Sequence, residues 1–163
     1  SSDKNMLKTT VNGYRTSTST AGQLGTNFAW ATISPKWSGI WPNASRPVPY
    51  NDGKTIKAVI LMTDGEYNTY EGQCDGSGGN NCTPYGPRGV QSNTHARAMC
   101  DNIKAEGVVV YTVGFITTHP EAIRTLGHCA SSTQHFFRAE NGAQLRQAFA
   151  SIAQQLNNLR LSK

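Results

Sequence analysis

The chemistry this chain could perform rests on one strand-end carboxylate and a run of hydroxyls. Asp64 closes the apolar run KAVILMT, Lys57 to Thr63, and Gly65 follows at once. In open parallel sheets, ligands collect beyond the carboxyl ends of strands, so Asp64 stands where a ligand would be met. A carboxylate that merely closes an Asp-Gly turn is the alternative. Thr20, with Thr18 behind it, precedes an apolar helical segment and offers hydroxyl oxygen to the same edge, or else an ordinary N-cap. A carboxylate plus hydroxyls with room for water is the ligand set of a hard divalent cation such as Mg2+.

The remaining reactive residues point less clearly. Glu66 and Glu71 lie near Asp64, but nothing close in sequence supplies a nucleophile for acid-base chemistry. His95, His119, His128 and His135 fall on different predicted elements with no His-x-x-x-His spacing, which reads as capping or solvent-facing histidine rather than zinc ligation. Trp30, Trp37 and Trp41 offer a sugar-stacking platform, yet an aromatic cluster covering a proline-rich excursion fits them better. No Asp-x-Asp pair, Gly-x-Ser-x-Gly elbow or phosphate-cradling loop occurs.

Cysteines stand at 74, 82, 100 and 129. Cys74 and Cys82 bracket a short loop of Asp, Gly, Ser and Asn that has no other means of holding its shape, so a local bridge is useful there. Cys100 and Cys129 fall on predicted helical faces, where a buried free thiol is the alternative. The absence of any Cys-x-x-Cys pair argues against metal ligation. The expected pairing is 74 with 82 and 100 with 129, and with it an oxidising compartment; reduced thiols are the alternative.

These residues need a scaffold, and hydropathy patterning supplies one. Residues 3–14 form a short amphipathic helix capped by Asp3 or Ser2, and 21–33 a mostly apolar helix stopped by Ser34-Pro35. Residues 35–54 hold four prolines among Trp37, Trp41 and Tyr50, which makes a surface excursion. KAVILMT reads as a strand covered on both faces, and 66–92 as a Gly/Asn-rich, disulfide-containing loop. A helix over 93–106 ends at Gly107, a second buried strand covers 108–114, and Pro120 opens a helix running to about Ala130. A short strand at 134–138 precedes an Asn141-capped helix with Leu145, Ala148, Phe149, Ile152 and Leu156 on one face. Alternating strands and helices define an α/β class with a doubly wound, mainly parallel sheet and helices on both faces.

Length and charge bound the rest. The chain's 163 residues favour a single domain over 1–163. Charged residues make up only 15% and the net charge is +5, with a pI near 9.2. The basic residues are scattered, without runs or aromatic interleaving, so no nucleic-acid groove is signalled. No apolar stretch approaches the roughly 20 residues a membrane span needs. The first residues carry no hydrophobic signal region, so a targeting or anchoring segment is expected to lie upstream or to have been removed.

The ordered segments TSTSTAGQLGTNFAWATISP, KAVILMTDGEYN, ARAMCDNIKAEGVVVYTVGF, LGHCAS, HFFRAEN and LRQAFASIAQQLNNLRLSK together resemble the later two thirds of a von Willebrand factor type A domain. More narrowly, they resemble the TadG-like proteins of tight-adherence (Flp) pilus systems. The resemblance runs from about Asp3 to Lys163. It implies a Rossmann-like fold and a metal-ion-dependent adhesion site, built in that family from an Asp-x-Ser-x-Ser loop, a threonine before a helix, and the Asp of a strand-ending Asp-Gly. The threonine falls on Thr20, with Thr18 as a slipped alternative, and the Asp on Asp64. No first strand and no Asp-x-Ser-x-Ser loop precede Thr20, so the chain is expected to begin partway into the domain. The run Asp75-Gly76-Ser77-Gly78-Gly79 imitates the missing loop but follows no hydrophobic strand, and reads as a disulfide-bounded turn. With two of the expected side chains left, Mg2+ binding is expected to be weak or absent in this fragment. The bare inner edge of KAVILMT would invite another strand.

The resemblance thus implies a non-enzymatic adhesion or assembly module of a pilus or cell-envelope system, periplasmic or on the cell surface. Its protein partner would place a carboxylate on the metal of the complete domain. A metal-dependent hydrolase or phosphoryl-transfer enzyme using Asp64 is one alternative. A metal-free structural subunit is another.

Overall fold

Three parallel strands run through the centre of the computed structural model: β1 (Ala58–Thr63), β2 (Val109–Phe115) and β3 (Phe136–Ala139), in the order β1-β2-β3. The structure describes residues 3–15, 19–71, 73–75 and 82–161. Helices α1 (Lys4–Asn12) and α2 (Gly22–Ile33) precede β1, α3 (Pro87–Ala105) and α4 (Pro120–Cys129) form the crossovers, and α5 (Gly142–Leu161) ends the chain. The registers run from Ala58 opposite Val109 to Thr63 opposite Gly114, and from Thr112 opposite Phe136 to Phe115 opposite Ala139.

Alternation of side chains along the strands builds two apolar layers. Val59, Leu61 and Val110 meet Cys100 and Ile103 of α3, Cys129 of α4, and the partly buried Ala29, Trp30 and Ile33 of α2. On the opposite face Tyr111 and Val113 pack against Ile152 of α5, with Leu145 and Leu156 beside it. Helices therefore lie on both faces of a parallel sheet, the α/β class expected from the alternation of elements. Both disulfides form, Cys74–Cys82 and Cys100–Cys129, and the second crosses the core between α3 and α4.

Several local expectations change. KAVILMT is not covered on both faces: Val59, Leu61 and Thr63 are buried, whereas Ile60 and Met62 are 40% and 46% exposed. The reason is position, since β1 is an edge strand among the described residues and the α5 layer is centred on β2 and β3. Lys57, just before the strand begins at Ala58, gives its carbonyl to the Val109 amide at 3.0 Å. Its Nζ donates to the carbonyls of Ile33 and Val48 and lies 4.4 Å from the Tyr50 ring centroid. Burial holds that ammonium below its usual pKa, with Asp52 pulling the other way. Together with the Trp30 indole, which donates to Tyr50 Oη at 2.8 Å, this anchors the excursion, which contains short 3-10 turns at Pro35–Ile40 and Asn43–Ser45.

Helix α3 starts at Pro87, six residues before the apolar pattern begins, so the loop after β1 is shorter than 66–92. Its first turns bury Gly89, Ser92 and Asn93 rather than apolar side chains, which hid them from the periodicity. A Cβ at Gly89 would lie 2.1 Å from the Thr83 carbonyl oxygen, so only glycine admits the loop there. β3 begins at Phe136 because residues Thr133–His135 form a 3-10 turn capped by Ser132. The helix caps read from the chain are present. Asp3 accepts from the Asn5 and Met6 amides, and Asn141 from those of Ala143 and Gln144. The Ser2 alternative lies outside the described residues.

Candidate functional site

The carboxyl ends of β1 and β2 converge with the start of α2 on one rim. Thr63 ends β1, and its hydroxyl closes the following turn, accepting from Gly65 N at 3.2 Å and donating to Gly65 O at 3.1 Å. The turn-closing duty open to Asp64 is thus performed by Thr63. The Asp64 side chain is exposed and makes no hydrogen bond or ion pair with any described residue. Thr20 is likewise free of the capping duty: the N-cap of α2 is Ala21, and no side chain caps that helix.

What Thr20 does instead is join two loops. Its amide donates to Asn68 Oδ1 at 2.8 Å, and its carbonyl accepts from the amides of Asn68 and Thr69 at 3.1 and 3.3 Å. The segment after β1 is thereby laid against the segment before α2. The Thr20 hydroxyl faces Gly65: a Cβ built there would sit 3.7 Å from Thr20 Oγ1. The chain therefore brings the Thr20 hydroxyl beside the residue that follows Asp64. Thr18 lies outside the described residues, as does the 76–79 part of the Asp75 to Gly79 run. Asp75 itself accepts from the Arg88 amide at 3.1 Å, securing the start of α3.

Beneath the rim a buried scaffold holds these loops. The Tyr67 ring lies against the backbone of Gly22, where a Cβ would come within 2.1 Å of it. Burial raises the Tyr67 phenol pKa, a hydrogen bond with the Thr26 side chain opposing. Asn93, fully buried, donates to the carbonyls of Tyr67 and Gly89, both at 2.9 Å, and accepts from the Thr125 hydroxyl at 2.7 Å. Ser92 donates to Gln23 Oε1 at 2.6 Å. Arg97 reaches Thr125 at 2.9 Å and Glu121 at 2.8 Å, which extends the network to α4. Each buried polar group taken up in this way avoids the cost of desolvation without a partner.

Three further features belong to the rim, the first of them a histidine in the capping role expected of it. Glu66 Oε1 lies 3.6 Å from His119 Nε2, while His119 Nδ1 accepts from the Glu121 amide and caps α4, so this histidine is a capping one. Tyr85, 63% exposed, sits with its ring 4.9 Å from that of His119. Ile116 adopts φ 55° and is 58% exposed. A β-branched residue at positive φ is an outlier costing about 1–3 kcal/mol, held only where its surroundings over-determine it. Here they do: Ile116 N donates to Ala139 O at 2.7 Å, and Thr117 Oγ1 donates to Thr63 O at 3.4 Å. No periodicity or motif signals a backbone conformation set by two neighbouring strands. The other histidines serve structure: His128 bonds Asp101 at 3.0 Å, and His95 Nδ1 pairs with Tyr70 Oη at 3.1 Å.

An α/β module that gathers loops at the carboxyl end of a parallel sheet is a binding scaffold by architecture. The chain belongs to the von Willebrand factor type A domain family, whose family model matches residues 1–151. Domains of this family are protein-interaction modules and typically not enzymes. No curated protein matches the chain. Among the described residues, no helix is long and apolar enough to cross a membrane, and no three His, Cys, Asp or Glu side chains gather as a metal cluster. The donor chemistry at Asp64 and Thr20, oxygen only, fits a hard cation. Their number does not fill its shell, so a cation held there would keep most of its waters.

Proposed function

We propose that this domain is a non-enzymatic adhesion or assembly module of a pilus or other cell-envelope system, and that it docks a protein partner on the rim at the carboxyl end of its sheet. In this reading Thr20 and Asp64 each contribute an oxygen to a divalent cation, Mg2+ first among them. The bound cation would offer a coordination position to a carboxylate of the partner. The observation that carries the reading is the suture through which Asn68 and Thr69 hold Thr20 beside Gly65, leaving the Asp64 carboxylate and the Thr20 hydroxyl without structural duties. The chain's part is to present two oxygens on a rigid support and to keep both out of competing hydrogen bonds. Two disulfides favour an oxidising setting, the periplasm or the cell surface.

Mn2+ serves as a paramagnetic stand-in for Mg2+ in the test. Titration followed by electron spin resonance should show weak, millimolar-range binding that Mg2+ displaces. Asp64→Ala should abolish it, and Thr20→Ala should weaken it several-fold. Binding that survives Asp64→Ala unchanged would remove the metal from the reading.

A further inference from the structure

The open edge of β1 is unguarded and complementary to itself. Among the described residues β1 pairs only with β2. The Lys57 carbonyl accepts from Val109 N, so the backbone groups of Lys57, Val59, Leu61 and Thr63 point toward β2. Those of Ala58, Ile60 and Met62 therefore point the other way, where no described strand lies. Edge strands are commonly blunted by a charge, a proline or a bulge, and AVILMT carries none of these. Room for a neighbour runs along the whole edge. A cavity of about 280 Å3 lies between the start of α2 and Ile60 to Thr63, and another of about 360 Å3 between the end of α2 and Lys57 with Ala58. Over this groove α2 presents Gly25 and Ala29, and a Cβ at Gly25 would meet nothing within 4 Å. Opposite charges mark the two ends. Arg46, exposed and in no ion pair with a described residue, borders the cavity at the Ala58 end. Asp64, equally unpaired, stands just past Thr63 at the other.

We infer that the occupant of this edge is β1 of a second copy of the chain, running antiparallel across a two-fold axis that passes between the paired Ile60 residues. One register pairs every outward group: Ile60 opposite its counterpart, and Ala58 opposite Met62 in both directions, each pair exchanging both of its N–H···O bonds. A slip in either direction leaves outward groups of the strand unpaired. The same register sets Asp64 of each copy opposite Ile56 of the other, at the cavity that Arg46 borders. Because the contact is isologous, both ends of the edge gain the ion pair at once. The exposed Ile60 and Met62 side chains come to lie beside their counterparts on one face of the joined sheet. On the other face the small residues of α2 leave space for the two α2 helices to run alongside each other. A strand of unrelated sequence would gain the backbone bonds but not the matched charges. The inference is independent of the metal reading, since it uses Asp64 only as a charge.

Sedimentation equilibrium of the whole chain in EDTA, from micromolar to near-millimolar concentration, provides the test. The data should fit a monomer–dimer equilibrium whose heavier species has twice the 17.6 kDa mass of the chain. Ile60→Pro removes an N–H that faces the open edge and spares the β1–β2 ladder, so it should eliminate the dimer while circular dichroism keeps the parent signature. Asp64→Arg and Arg46→Asp should each weaken the dimer about ten-fold, because each reversal turns both symmetry-related attractions into repulsions. The double exchange, with the charges swapped, should return affinity to within about three-fold of the parent. That rescue decides the question even where the proline variant does not fold. A monomer at every concentration, an open-ended aggregate, a dimer that persists in folded Ile60→Pro, or charge reversals that fail to rescue each other overturns the inference and leaves the metal reading untouched.

Discussion

Replacing Gly22 by alanine should damage the rim from below, and the structure sets the size of the damage. The new Cβ would sit 2.1–2.2 Å from Cε1, Cζ and Cδ1 of Tyr67, where carbon atoms prefer about 3.5–4.0 Å. The ring has nowhere to go at low cost. Tyr67 is buried, Asn93 holds its carbonyl at 2.9 Å, and the next two amides bond Thr20. Overpacking costs about 1–3 kcal/mol, and a buried ring places this case near the upper end. The better helix propensity of alanine returns at most about 1 kcal/mol, leaving a net loss of roughly 2 kcal/mol. A chain of this size unfolds with an entropy near 0.34 kcal/mol/K, so the melting temperature should fall by about 6 °C.

Differential scanning calorimetry of the parent, Gly22→Ala, Tyr67→Leu and the double variant decides the matter. Tyr67→Leu alone should cost about 1–3 kcal/mol through lost ring contacts. The double variant should be no less stable than Tyr67→Leu, because the obstacle is gone. The displaced ring should also disturb the segment that bonds Thr20 and weaken Mn2+ binding in Gly22→Ala. A single variant melting within about 2 °C of the parent, or costs that simply add in the double, would show that the ring and Gly22 are not in the contact described.

Removing the core bridge with Cys100→Ala and Cys129→Ala should cost about 3–4 kcal/mol, from a sequence separation of 29 and the chain-entropy relation. Urea denaturation should show this, and reductant should destabilise the parent more than the double variant, which keeps only the Cys74–Cys82 bridge. Glu121 is held below the ordinary glutamate pKa by the Arg124 hydrogen bond first, with Arg97 adding to it and burial opposing. A carboxyl depressed in the folded state contributes stability that is present above its unfolded pKa and lost as pH falls through the folded value. Glu121→Gln should therefore cost about 1–2 kcal/mol near neutrality. The gap from the parent should narrow as pH drops below the ordinary range of a glutamate carboxyl, and urea midpoints across that range would show it. A gap that stays constant into acid would assign the cost to packing rather than charge.

Much of this molecule was legible along the chain, for a physical reason. Side-chain periodicity, caps and strand-ending turns report the local backbone. Asp3, Asn141 and Pro120 marked helix starts, and KAVILMT with VVVYTVG announced strands of a mainly parallel sheet, which the fold pairs side by side. The cysteine spacing, read with the predicted helices, anticipated both bridges. The same pattern placed Asp64 at a strand end but left open whether it merely closed a turn, and Thr20 whether it merely capped a helix.

Those duties were decided by contacts between segments distant along the chain. The Thr63 hydroxyl took the turn, and Asn68 took Thr20 from 48 residues away. Asn93, a polar residue at an unremarkable helix position, proved to be the buried hub that holds Tyr67. Whether Ile60 and Met62 met a helix or water depended on which strand lay at the edge. Ile116 took its left-handed backbone from bonds to β3 and, through Thr117, to β1. Composition and periodicity reveal what a residue prefers to touch. Three-dimensional packing alone chooses which of several suitable neighbours it meets, because that choice is made by the sum of all contacts rather than by any one stretch of chain.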